Sequence, residues 1–258
     1  MTSPPEPDET TGRTAALQHL DRWAARCAQR FPPSADLKLA MAASGTLFSG
    51  YTLVHMLGNL QVYLGRGVFD GYARHLRTLG APVLPPRGLL WMFRGVLLAG
   101  AVAHVGGALV LTIRARQAGQ RARTRRRPRP QGRRRAPWET VKRSMRSTGT
   151  VLGLFAAHHI ADLTLGSRIV SARHVEGAAY DNLMASLRRP EVAALYLAAM
   201  LALAAHISQG ARQVGNDTGL SSEPTRRERL ERAGRWLGTG VALGNATIPV
   251  AVILRIIR

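Results

Sequence analysis

The sequence predicts an all-α membrane protein of five transmembrane helices, and three observations carry that prediction. Apolar residues gather in five blocks, 39–64, 88–113, 147–166, 192–211 and 236–257. Each is close to the roughly 20 residues that a helix needs to cross about 30 Å of hydrocarbon. The blocks hold almost no charge: Arg94 stands in the second, Asp162 in the third and Arg255 at the end of the fifth. The 36 Lys and Arg lie almost entirely between them. The net charge of +21 and the near-zero mean hydropathy therefore average two populations, and taken alone they mislead toward a soluble nucleic-acid binder. Aromatic residues at 5% leave little material for base-stacking platforms. A lone Cys27 excludes a disulfide framework, a Cys-rich zinc site and a Cys-ligated iron–sulfur cluster, and no CxxCH is present for c-type haem attachment.

Taken in order, residues 1–36 form a polar leader, Pro- and Thr-rich at its start and expected to be disordered there. A short surface helix is expected over 23–31, stopped by Pro32 and Pro33. Residues 37–258 form the transmembrane domain. Its first block is not read as a cleavable signal peptide, because it follows a long polar leader and lacks a clear small-residue cleavage site. After it, VFDGYARHLRTLG (68–80) puts Val68, Phe69, Tyr72, Leu76 and Leu79 on one helical face. That suits an amphipathic surface helix or, equally, a structured loop. The second and third blocks are joined by 114–146, which holds 14 Lys or Arg. AAYDNLMASL (178–187), before the fourth block, is a weaker second candidate for a surface helix. If five helices alternate, the leader, the 114–146 segment and the arginine-rich segment before the fifth block share one side. The positive-inside rule then sets the N-terminus in the cytoplasm and the C-terminus outside, in a multi-pass protein of the cell (inner) membrane. The arginine run is a topology determinant in contact with anionic lipid heads, and nucleic acid is not an expected partner.

Five histidines lie inside the blocks: His55, His104, His158, His159 and His206. An imidazole within a spanning helix is costly and faces the bundle interior with a partner. Blocks one to four each carry at least one, and block five carries none. At about 1.5 Å per residue, His55 lies about 24 Å and His159 about 18 Å above the inner surface, against about 14 Å for His104 and about 8 Å for His206. The histidines thus sort into two layers, an outer His55 with His159 and an inner His104 with His206. Depth does not separate His158 from His159. Two imidazoles facing across a bundle are what a bis-His b-type haem requires, and two such pairs at two depths make a transmembrane electron path. Gly45, Gly50, Gly100, Gly106, Gly107, Gly149 and Gly153 supply small residues where a macrocycle would meet the helices. Ordinary small-residue packing, as at Gly149-xxx-Gly153 and Gly240-xxx-Gly244, accounts for them as readily.

At these residues the chain resembles the single-chain cytochrome b membrane anchors of succinate dehydrogenases (succinate:quinone oxidoreductases) of the five-helix, two-haem type. The stretches that carry the resemblance are LVHMLGNLQVYLG (53–65), YARHLRTLG (72–80), RSMRSTGTVLGLFAAHHIADLT (143–164) and YDNLMASLRRPEVAALYLAAMLALAAH (180–206). The resemblance spans about residues 37–212 and implies a haem-binding bundle of helices one to four. It implies that His55 and His159 ligate the iron of the outer haem b, and His104 and His206 that of the inner one. Its third-helix pattern selects Phe155, His159, Asp162 and Thr164, leaving His158 where the family has an aromatic or apolar residue.

The resemblance also implies partners: a flavoprotein and an iron–sulfur subunit docked on the cytoplasmic face, which oxidise succinate, and a quinone, menaquinone by expectation. The chain would itself be non-catalytic for the dicarboxylate. Some members carry a glutamate shortly before the last ligand for proton transfer, where this chain has Ala204. Asp162 is then a candidate for a quinone or proton role, or simply an interfacial polar residue at a helix end. Arg143 and Arg146, which open the third block, and Arg94 are candidates for propionate contacts; Arg94 could equally snorkel to the headgroups. The alternatives are a di-haem cytochrome b subunit of another membrane dehydrogenase, and a haem-free scaffold or transporter. Transporters often carry internal repeats, and no clear repeat is evident in the chain.

Overall fold

A computed structural model describes residue 23 and residues 26–124, 137–171 and 173–258, with the side chains of 120–124 and 137–143 outside the description. The described chain is helical throughout, with no strand among the described residues. Helix α1 (Ser34–Asn59) starts directly after Pro32-Pro33, with Asp36 in its first turn against the positive end of the helix dipole. It tightens into a 3-10 segment, Leu60–Leu64, and stops at Gly65, whose φ of 93° suits a residue without Cβ. Both surface candidates are helical: α2 spans Arg66–Thr78 and α5 spans Ala179–Leu187. Between them lie α3 (Gly88–Thr124) and α4 (Pro137–His159), the latter extended by a π turn over Ile160–Thr164. The chain closes with α6 (Pro190–Asp217) and α7 (Pro224–Ile253), each opened by the proline that fits a first helical turn.

All five long helices outrun the blocks that predict them at one end, α1 by starting at Ser34 rather than at 39. α3 continues past residue 113 to Thr124, and α4 begins before residue 147 at Pro137. α6 likewise continues to Asp217, and α7 starts at Pro224 rather than at 236. Block edges mark where hydropathy falls, whereas Arg, Gln and Ala keep a helix going in water. The long basic connection is thereby reduced to 125–136, which lies outside the described residues, as does most of the leader. In the leader, Trp23 and residues 26–29 are helical.

Among the described residues three helices are long and apolar enough to cross a membrane: α3 over Gly88–Gly119, α6 and α7. Their flanks leave large apolar side chains exposed, among them Leu98, Val102, Leu201 and Leu243, as a lipid-facing surface requires. α1 and α4 are more polar, since they interleave Ser44, Thr46, Ser49 and Thr52, and Thr148, Thr150, His158 and His159, with their apolar residues.

α6 and α7 pack most closely. Gly234 and Gly238 bring α7 against Ile207, Ser208 and Ala211, and a Cβ at Gly238 would stand 2.8 Å from the Ala204 carbonyl oxygen. The small-residue contact therefore falls one turn and more before the expected Gly240-xxx-Gly244: Gly240 meets nothing, and Gly244 seats Met56 of α1. α1 also packs on α3 and α6, and α4 packs on α6. At one end, Val62, Phe69, Tyr180, Leu183, Met184, Leu187, Val192, Tyr196, Ile248 and Val252 bury one another, so that α2 and α5 close that end. Asp70 Oδ1 accepts the Tyr180 N–H at 2.9 Å and satisfies a free donor at the start of α5.

At the other end, Arg114 of α3 ties down the approach to α1. Its Nη2 donates to the carbonyls of Ala28 (2.8 Å) and Phe31 (3.0 Å), and its Nη1 to the Pro32 carbonyl (2.9 Å) and Ser34 Oγ (3.1 Å). Only a planar guanidinium fork reaches four acceptors in this way. Arg114→Ala is expected to release the segment before α1 at a cost of roughly 1.5–3 kcal/mol. Trypsin cleavage at Arg30 would then accelerate about ten- to hundredfold, and Arg114→Lys would restore little of the protection. An unchanged cleavage rate in Arg114→Ala would contradict the clamp.

Candidate metal centre

The structure brings the four expected histidines together as two facing pairs. The rings of His104 (α3) and His206 (α6) have centres 6.2 Å apart and planes crossing at 62°. Those of His55 (α1) and His159 (α4) are 5.9 Å apart and cross at 83°. In each pair the two helices are not close-packed neighbours, since α1 lies against α3 and α6, and α4 against α6. The imidazoles therefore meet across the space between helices.

The ring nitrogens are assigned by their neighbours. His104 Nδ1 is 3.1 Å from Ser44 Oγ, and His206 Nδ1 is 3.0 Å from Thr148 Oγ1. His159 Nδ1 is 2.9 Å from the Tyr196 hydroxyl of α6. In three of the four, Nδ1 is engaged and Nε2 is left for a further partner. An imidazole nitrogen binds a first-row metal at about 2 Å, and the ring centre lies roughly 1 Å behind it, so an axial pair sets its ring centres about 6 Å apart. Both pairs have that spacing, and rotation about the metal–nitrogen axis leaves the planes free to cross. No cluster of three or more His, Cys, Asp or Glu that could hold a metal occurs among the described residues. Each pair would thus offer a metal two imidazoles, which suits one whose remaining positions a macrocycle fills better than a four-ligand zinc site.

His158 and His159 separate cleanly. His159 faces His55, with Phe155 stacked on it at 5.6 Å. His158 turns toward Asp162, its Nε2 3.9 Å from Oδ2 and buried without a hydrogen-bond partner among the described residues. Of the expected glycines, Gly45 and Gly149 lie where a Cβ would come within 3.3 Å of Cε1 of His104 and His206. Gly100 and Gly107 instead seat Leu47 and Met41 between α1 and α3, and Gly50, Gly106 and Gly153 meet nothing. Arg94 is exposed and lies over the Trp91 ring at 4.8 Å, and Arg146 is exposed; neither is brought to an imidazole by a hydrogen bond. The Arg143 side chain lies outside the described residues.

A local repeat relates α1 to α4. Ser44-Gly45-Thr46, then Tyr51, then His55 on α1 recurs at identical spacing as Thr148-Gly149-Thr150, Phe155 and His159 on α4. Tyr51 stacks on His55 at 5.3 Å just as Phe155 stacks on His159. α1 and α4 thus carry one local pattern, and the equivalence singles out His159 over His158 without reference to any family. Sequence reasoning does not single out Ser44, Thr148 or Tyr196, although a hydroxyl–glycine doublet ahead of His55 and of His159 marks the first two.

Asp162 is no bare interfacial carboxylate. The π turn directs it inward, where it is 3% exposed. Ser186 Oγ donates to its Oδ2 at 2.5 Å, and Arg189 Nη2 at 2.8 Å. Arg189 also donates to the Val170 carbonyl at 2.6 Å, so the pair fastens α4 to the start of α6. Neither Ser186 nor Arg189 was singled out from the sequence, because their partners are distant along the chain. Arg189→Ala leaves a buried carboxylate uncompensated and is expected to cost about 3–5 kcal/mol, read as a lower Tm in detergent. Asp162→Asn combined with Arg189→Met should cost less than Arg189→Ala alone. Equal Tm values for wild type and Arg189→Ala would count against a structural ion pair. No family model, curated protein or solved structure matches this chain in comparison.

Proposed function

We propose that this chain is a di-haem cytochrome b membrane anchor of the succinate dehydrogenase type. In this reading five helices span the cell membrane, with the N-terminus cytoplasmic, and α1, α3, α4 and α6 form the haem-binding four-helix bundle. The observation that carries the reading is the two imidazole pairs, each at metal-bridging spacing, with Nδ1 engaged in three of the four rings. His104 and His206 would hold the inner haem b, and His55 and His159 the outer. Bound there, the haems supply one-electron chemistry at two depths.

The protein's own share is to hold the imidazoles, exclude water from them and set the distance between the layers. Phe155 and Tyr51 shield the outer pair, and Phe48 lies edge-on to His104 at 6.0 Å. The closed end formed by α2, α5 and the Asp162–Arg189 pair keeps the His55–His159 layer apart from the aqueous surface beyond it. The basic end, where Arg114 fastens the leader, would face the docked flavoprotein and iron–sulfur subunits and anionic lipid. Menaquinone is the expected electron acceptor, and two proposed propionate contacts, Arg94 and Arg146, remain open to solvent or headgroups.

The reduced-minus-oxidised optical spectrum of the purified chain tests this. A b-type α-band with about two haems per chain is expected. His104→Ala and His206→Ala should each remove one and the same haem, and His55→Ala and His159→Ala the other. His158→Ala should keep both. Absence of a haem band in the wild-type chain would reduce the imidazole pairs to edge-on packing contacts.

A further inference from the structure

Ser44 and Thr148 do more than fill space beside His104 and His206. Ser44 Oγ lies 2.7 Å from the Ala40 carbonyl and 3.2 Å from that of Met41, one turn back on its own helix. Thr148 Oγ1 stands identically, 2.8 Å from the Ser144 carbonyl and 3.2 Å from that of Met145. A hydroxyl has one proton and two lone pairs. The shorter contact to the carbonyl takes the proton, so each hydroxyl presents a lone pair to the imidazole on the neighbouring helix. The imidazole must then carry its proton on Nδ1 and keep its lone pair on Nε2. The glycine after each hydroxyl is what admits the ring, since a Cβ at Gly45 or Gly149 would press on Cε1 at 3.3 Å. The same device occurs twice, at equivalent places on α1 and α4.

We infer that Ser44 and Thr148 are positioning residues that lock His104 and His206 in the Nδ1–H tautomer, so that both Nε2 atoms are free to bind a metal between them. As a statement about metal ligation this rests on the haem reading; as a statement about tautomer it does not. The His55–His159 pair is built otherwise: a phenol from α6 meets His159, and no hydroxyl hydrogen bond to His55 occurs among the described residues. The device therefore acts on one layer only. Donation from Nδ1–H makes an imidazole a stronger electron donor and favours the oxidised metal.

The test is a potentiometric titration with ferric EPR on the full chain, in wild type, Ser44→Ala, Thr148→Ala and Thr148→Ser. Both alanine variants should shift the potential of the His104–His206 haem upward, alter its EPR signal and release that haem about 10–100-fold more readily. The other haem should be unmoved, and Thr148→Ser should restore wild-type values. The inference is overturned if the alanine variants leave that potential and signal unchanged, if both haems shift or are lost alike, or if Thr148→Ser behaves as Thr148→Ala. Should the wild-type chain hold no haem, the haem reading fails. Ring-15N NMR of the same histidine-labelled preparation then decides the tautomer alone, with Nδ1–H on His104 and His206 supporting the lock and Nε2–H refuting it.

Discussion

The arrangement rests on one constraint: a neutral imidazole placed among apolar helices has one donor and one acceptor nitrogen, and no bulk water to satisfy either. Three of the four facing histidines meet it at Nδ1 through a hydroxyl brought by a neighbouring helix. That requirement dictates much of the local sequence. A hydroxyl bonded back to its own helix needs a carbonyl one turn earlier, which any helix provides. A ring that reaches that hydroxyl needs a glycine beside it, and Gly45 and Gly149 stand there. An aromatic one turn before His55 and His159 covers the remaining ring face. The polar residues that lower the hydropathy of α1 and α4 are thus partly the ones that serve the histidines.

That local pattern occurs twice, on α1 and on α4. Across the helices His55 meets His159 and His104 meets His206. The two copies of the pattern differ in what surrounds them. The second carries the π turn and the buried Asp162–Arg189 pair, while the first ends in a 3-10 segment and Gly65. At the far end Arg114 of α3 holds the entering chain. A similar pair of histidine sites thus sits inside an asymmetric shell.

Hydropathy made the helical class and the approximate places of the long helices legible, and spacing along those helices was enough to pair the histidines. Helix ends were not legible, because residues such as Arg116 and Arg229 continue a helix in water as well as Leu does. The choice between His158 and His159 was not legible from depth, since adjacent residues differ in direction rather than in height; the structure separates them by what each faces. Ser186 and Arg189 could not be found from local pattern, as their link to Asp162 is made only once α4 and α6 are side by side. The repeated hydroxyl–glycine doublet, by contrast, is written in the sequence, where the many other glycines hide it.

If the proposal holds, His55 with His159 and His104 with His206 would each hold one haem. The most direct measurement is quantitative low-temperature EPR of the oxidised full chain, beside its haem content. Two distinct low-spin ferric signals are expected, each integrating to about one spin per chain. A high-spin signal, a single low-spin species or a chain without haem would contradict the proposal.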